Sequence, residues 1–85
     1  MSEMTSNMIQ VEKSLLYDLI EFKIRSINEE IQRILDHWHY NSPDTFLQDA
    51  RDGNLKDAEM DAILLHQLVF DRDELQTKKL SFQDS

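Results

Sequence analysis

The sequence predicts an all-α protein, an antiparallel helical hairpin of two long helices with a short connecting helix. Six apolar residues follow one another at steps of 4, 3, 4, 3 and 4, the spacing of a heptad seam. They are Ile20, Ile24, Ile27, Ile31, Ile34 and Trp38. After this seam, the only proline and the only glycine of the chain, Pro43 and Gly53, bracket a short segment that leads to a second apolar stretch. That second stretch is expected to form the helix that packs against the seam.

The first predicted element is a long helix from Val11 to about His39. No Gly or Pro interrupts this segment, and polar residues occupy the faces away from the seam. At 1.5 Å per residue the helix is about 40 Å long. Residues 1–10 are expected to form a flexible leader. A second apolar stripe widens the surface in the first turns beyond what one neighbouring helix covers. This stripe consists of Leu15, Leu19 and Phe22.

The second predicted element is a short helix that begins at Ser42 and Pro43. Ser is a preferred N-cap, and Pro fits the first helical position because its missing N–H has no intrahelical acceptor there. The apolar side of this helix is formed by Phe46, Leu47 and Ala50. Gly53 can end it with a left-handed C-terminal cap.

The third predicted element is a second long helix, capped by Asp57, with acidic residues in its first turn that favour the positive end of the helix dipole. The run from Ile63 to Phe70 could also be a buried strand, but no second segment resembles a strand that could pair with it. The side of this helix expected to close the seam is formed by Leu64, Leu68 and Leu75. Residues 11–80 are therefore expected to form one domain, followed by a flexible tail, 81–85.

Charge and composition exclude several classes of function. The 85 residues carry 17 acidic side chains against 9 Lys and Arg, a net charge of −8. Direct nucleic-acid binding is not expected, because phosphate neutralisation needs a clustered basic face. We expect no signal peptide, because the first residues lack a positively charged region and a long apolar core, and no run approaches the about 20 apolar residues needed to span a bilayer. The chain has no cysteine and hence no disulfide, and a cytoplasmic location is expected.

Metal and catalytic sites are not expected either. His37 and His39 point about 200° apart on a helix, whereas a shared metal needs positions i and i+4. His66 is expected to pack or to lie at an interface. The loop around Gly53 lacks two of the ligands that a calcium loop requires. No nucleophile elbow or glycine-rich phosphate loop is present, so we expect no enzyme, no metal and no cofactor.

The second predicted helix and the turn that follows it carry a resemblance to a known family. The segments Ser42-Pro43-Asp44-Thr45-Phe46-Leu47 and Arg51-Asp52-Gly53-Asn54-Leu55 precede an acidic helix. This order resembles that of small prokaryotic helical proteins, some of which are similar to the antitoxins of toxin–antitoxin pairs. The resemblance covers roughly residues 15–78. The resemblance implies that an acidic helix binds a basic toxin surface. Antitoxins commonly add a DNA-binding module, and no basic arm of that kind is apparent here.

The function expected from these observations is protein–protein interaction, by an antitoxin-like or adaptor protein that binds a basic partner through helical apolar surface. A core this small leaves apolar surface in excess, and that excess predicts a partner or self-association. The expected partner-binding residues are Leu15, Leu19, Phe22, Met60, Ile63 and Phe70. The alternative is a structural homo-oligomeric helical bundle in which these residues pair with themselves. A third hypothesis is a metal-binding or catalytic unit at His37, His39 and His66.

Overall fold

The computed structural model describes the backbone of residues 2–83 and the side chains of residues 12–82. The chain forms three helices: α1 (Ser2–Trp38), α2 (Pro43–Arg51) and α3 (Glu59–Gln83). No strand occurs among the described residues. The predicted all-α class is therefore confirmed, and the run from Ile63 to Phe70 is helical. The molecule is a rod with extents of 62, 18 and 18 Å.

Helix α1 begins at Ser2 rather than near Val11. Like the segment after it, residues 2–10 contain no Gly or Pro that would end a helix. At the other end, His39 adopts a left-handed φ of 63°, and the Tyr40 N–H donates to the Leu35 carbonyl at 2.9 Å. The flexibility expected for segments 1–10 and 81–85 stays a prediction, and residues 1, 84 and 85 lie outside the described residues.

Both predicted ends of helix α2 are confirmed. Ser42 is the N-cap, with extended backbone angles, and its Oγ accepts a hydrogen bond from the Thr45 N–H at 3.3 Å. Pro43 is the first helical residue. The helix ends at Arg51, and Gly53 follows with a φ of 77°, a left-handed conformation that glycine adopts without steric cost.

The start of helix α3 differs from the prediction. The expected cap, Asp57, lies two residues before Glu59 and has a left-handed φ of 62°. Ala58 precedes the first helical residue, and its carbonyl accepts the Ala62 N–H at 2.8 Å. Asp tolerates this left-handed backbone better than most residues. The resulting turn buries the small side chain of Ala58 to 1% exposure.

The core consists of apolar residues from all three helices and the turn before α3. Its buried members, among the described side chains, are Ile27, Ile31, Ile34, Leu35, Phe46, Ala58 and Leu65. The central isoleucines of the seam are thus buried as predicted. The expected closing set is correct for Leu68 and Leu75, which pack against this core, but wrong for Leu64, which is 47% exposed. Leu65 is buried instead, because one residue along a helix rotates the side chain by about 100°.

Helix α1 packs mainly against α3, and the contacts between them run in opposite chain directions. Near the end of α1, Trp38 Nε1 donates to Asp61 Oδ2 at 2.8 Å, in the first turn of α3. Farther back, Glu21 Oε1 lies 3.0 Å from Lys79 Nζ, near the end of α3. The hydrogen bond and charge of Lys79 lower the pKa of the Glu21 carboxyl, and those of Glu21 raise the pKa of the Lys79 ammonium. Both side chains are partly solvated, so this ion pair adds little stability.

Aromatic rings hold α2 against the end of α1. The fully buried ring of Phe46 lies 5.7 Å from Trp38 and 5.5 Å from Tyr40, centroid to centroid. The Tyr40 hydroxyl donates to Asp49 Oδ2 at 2.6 Å. This hydrogen bond favours the neutral phenol and raises the pKa of Tyr40. The position of α2 is therefore fixed by both packing and a specific polar contact.

Candidate interaction surfaces

All six residues expected to bind a partner are exposed. Between 53% and 77% of each residue's surface is accessible, although all six are large and apolar. They divide into two groups, one on each long helix. We call Leu15, Leu19 and Phe22 the α1 patch, and Met60, Ile63 and Phe70 the α3 patch. An isolated exposed leucine is ordinary on a protein surface, whereas two aligned groups of this kind are candidates for contact surfaces.

Helical geometry aligns the α1 patch on one face. Leu19 and Phe22 follow Leu15 at four and seven residues, so the three side chains form a line about 10 Å long. Phe22 lies nine residues before the buried Ile31, which is about two and a half turns. The α1 patch therefore faces away from α3.

The α3 patch also faces outward, on the other side of the molecule. Phe70 lies seven residues after Ile63, and nine residues before Lys79, whose side chain reaches α1. Nine residues are about two and a half turns, so Ile63 and Phe70 point away from α1. Since each patch faces away from the other long helix, the structure does not bring the α1 patch and the α3 patch together. They are two separate candidate surfaces.

A shallow groove adjoins the α3 patch between α2 and α3. Its volume is about 530 Å³. It is lined by Leu47, Ala50, Arg51, Glu59, Ala62, Ile63, His66 and Gln67. A second depression of about 430 Å³ shares Ala50 and Glu59 with it and includes Met60. The sequence predicts Leu47 and Ala50 only as the apolar side of α2 and does not predict that they line an interaction surface. These two residues line the groove only because α2 packs beside α3.

The two patches differ in their electrostatic surroundings. Residues 43–77, which include α2 and most of α3, contain nine Asp and Glu against three Lys and Arg. This segment carries a net charge of −6, most of the −8 of the whole chain. Around the α1 patch the signs are balanced, because residues 12–25 contain three Asp and Glu and three Lys and Arg. The α3 patch therefore lies in an acidic field, and the α1 patch does not.

The histidines do not form a common site. His37 packs edge-on against Trp38 with ring centroids 5.5 Å apart, while His39 ends α1 with its left-handed backbone. His66 is exposed and lines the groove, so it does not pack in the core. Within the part of the chain that the structure describes, no three His, Asp or Glu side chains are grouped so that they could hold a metal ion.

Among the described residues, no helix has both the length and the apolar character needed to cross a bilayer. Comparison with known protein families, curated proteins and solved structures gives no match to this chain.

Proposed function

We propose that this chain is a non-catalytic protein-interaction module, an antiparallel helical hairpin that binds a basic protein through the α3 patch and the adjoining groove. The observation that carries the proposal is the coincidence of exposed apolar side chains with the most acidic part of the chain. Ile63 belongs to both the α3 patch and the groove. The contact surface thus continues from α3 onto α2.

The two components of this surface have different roles in binding. Large apolar side chains such as Ile63 and Phe70 supply affinity when a partner removes them from water. The surrounding carboxylates select the sign of the partner and raise the rate of encounter. An amphipathic helix with an apolar face and basic edges is the simplest ligand with both properties, and it fits a shallow groove between two helices. A basic toxin surface, as implied by the antitoxin resemblance, is one partner of this chemistry.

The test uses a synthetic amphipathic helical peptide with a leucine face and Lys and Arg edges. A second peptide keeps the leucine face and carries Glu at the edges. We expect the basic peptide to bind the full chain at low ionic strength, the acidic peptide not to bind, and added salt to weaken binding. Fluorescence anisotropy of the labelled peptides measures both affinities.

The variant Ile63→Asp separates apolar binding from general charge attraction. It makes the surface more acidic, so purely electrostatic binding would become stronger. If Ile63 contacts the ligand, binding weakens at least about tenfold despite the added charge. The matched control Leu19→Asp adds the same charge on the α1 patch and should leave peptide affinity unchanged. A basic peptide that fails to bind, or that binds Ile63→Asp as well as the unchanged chain, contradicts the proposal.

A further inference from the structure

We infer that the α1 patch pairs in parallel with the α1 patch of a second copy of this chain. The inference concerns a different surface from the proposed function and does not rest on it. Its starting point is that Leu15, Leu19 and Phe22 are exposed although they follow the 4 and 3 spacing of a two-stranded helical seam. The same helix therefore carries one seam toward α3 and a second, shorter seam on its opposite face.

The charged residues beside this second seam indicate that the helix packed against it belongs to a second copy of the chain. The spacing puts Leu15 and Phe22 at d positions of a heptad and Leu19 and Ser26 at a positions. In a parallel pair, the residue just before an a position faces the residue five positions later on the other helix. Asp18 precedes Leu19, and five positions later stands Lys23. Arg25 precedes Ser26, and five positions later stands Glu30. Two copies of this chain thus place opposite charges together at Asp18–Lys23 and Arg25–Glu30, and two-fold symmetry repeats each pair.

The side chains named in these pairs are accessible in the single chain. Asp18, Lys23 and Arg25 are exposed. Glu30 is bonded to Arg33 at 2.9 Å, in an ion pair whose side chains are 43% and 72% exposed. Exchanging that solvated partner for Arg25 of the second copy costs little, because exposed ion pairs contribute only marginally to stability.

Antiparallel pairing matches the same face less well. In one register Leu19 meets Phe22, but Leu15 then faces Ser26 of the other copy. In the other register Leu15 meets Leu19, but Phe22 then faces Glu12. Only the parallel arrangement places each of the three apolar residues against an apolar residue. It also keeps the α3 patches on the outside of the dimer, free for another partner.

The first test is the oligomeric state of the purified full chain by sedimentation equilibrium. We expect a reversible dimer that Leu19→Asp weakens at least about 100-fold, since a charge then enters the centre of the apolar contact. Phe70→Asp is the matched control on the α3 patch and should leave the dimer intact. Circular dichroism of each variant checks that the helix content is retained. A chain that stays monomeric at every concentration, or a Leu19→Asp variant that dimerises normally, overturns the inference.

The orientation of the helices is tested by charge exchange. Asp18→Lys should weaken the dimer, and adding Lys23→Asp should restore it, because parallel pairing puts these two positions together. In the antiparallel register that pairs Leu19 with Phe22, Asp18 faces Arg25. In that arrangement, adding Lys23→Asp to Asp18→Lys would not restore the dimer, whereas adding Arg25→Asp would. If Arg25→Asp restores dimerisation of the Asp18→Lys variant and Lys23→Asp does not, the parallel arrangement is overturned.

A disulfide provides an independent measurement, because the chain has no cysteine of its own. Ser26 faces its own copy in a parallel pair, whereas Ser14 lies off the second seam. We therefore expect Ser26→Cys to form a covalent dimer under mild oxidation, and Ser14→Cys to do so much more slowly. Equal rates for the two variants contradict the parallel pair.

Discussion

Replacing Phe46 with Ala tests whether the aromatic packing at the end of α1 holds the three helices together. Phe46 is fully buried and lies between Trp38 and Tyr40, with ring centroids less than 6 Å away. Alanine removes the whole ring, and the surrounding rings cannot close the space without losing their own contacts. The substitution leaves the charge of the chain unchanged. It therefore isolates packing from electrostatics.

The expected loss in the free energy of unfolding is about 3–5 kcal/mol, the usual cost of a buried Phe→Ala change. A domain of this length has a total stability of about 4–13 kcal/mol. The variant therefore loses a large share of its stability, and it does not fold if the stability of the unchanged chain lies at the low end of that range. Phe46→Leu retains most of the volume and should cost about 1–2 kcal/mol, which keeps the position measurable if the alanine variant does not fold.

Urea unfolding followed by far-ultraviolet circular dichroism measures these differences, and repeating it at several protein concentrations separates folding from association. Phe70→Ala is the matched control, because it deletes the same side chain from a residue that is 54% exposed. We expect this control to change stability by no more than about 0.5 kcal/mol. If the two alanine variants lose equal stability, Phe46 is not the packing centre of the fold.

Three further predictions concern the turns. Ser42→Ala removes the N-cap of α2 and should cost about 1 kcal/mol, whereas Ser42→Gly should cost only a few tenths, as measured by urea unfolding. Gly53→Ala should destabilise the chain by about 1 kcal/mol despite the open space around it, because φ is 77° there; an unchanged melting temperature would refute this reasoning. The raised pKa of Tyr40 means that its hydrogen bond to Asp49 stabilises the fold below the unfolded tyrosine pKa of about 10. This contribution should be lost as pH rises through the higher folded pKa, and it should be absent at every pH in Tyr40→Phe, which urea unfolding at a series of pH values measures.

The sequence was sufficient for the number and order of the three helices, for the seam and for the ends of α2, because each of these follows from local chemistry, but not for the first residues of α1 and α3. A Ser before a Pro and a single Gly after a short apolar segment have few alternative interpretations. Ile27, Ile31 and Ile34 are separated by polar residues, so their common face is plain.

Burial is not predictable from sequence where the periodicity is hidden or where it depends on how the helices pack. From Ile63 to Phe70 nearly every residue is apolar, so sequence alone does not distinguish Leu64 from Leu65 as the buried one. Burial of Leu35 and Ala58 depends on where α2 and the turn after it pack, which is a tertiary effect. The excess apolar residues were recognisable, but their separation onto opposite sides of the molecule required the relative orientation of the helices.

The distribution of the core along the rod has a consequence for its local stability. The seven buried residues among the described side chains all lie within 27–65, and the hydrogen bonds from Trp38 to Asp61 and from Tyr40 to Asp49 lie in the same half of the molecule. Toward the other end, Ile20 and Ile24 are only partly buried, and the Glu21–Lys79 ion pair is solvated. Amide hydrogens should therefore exchange with solvent progressively faster from the α2 end toward residues 12–24, as local opening becomes easier. The α1 patch lies in this easily opened part, so a second copy bound there would slow exchange where the single chain protects its amides least.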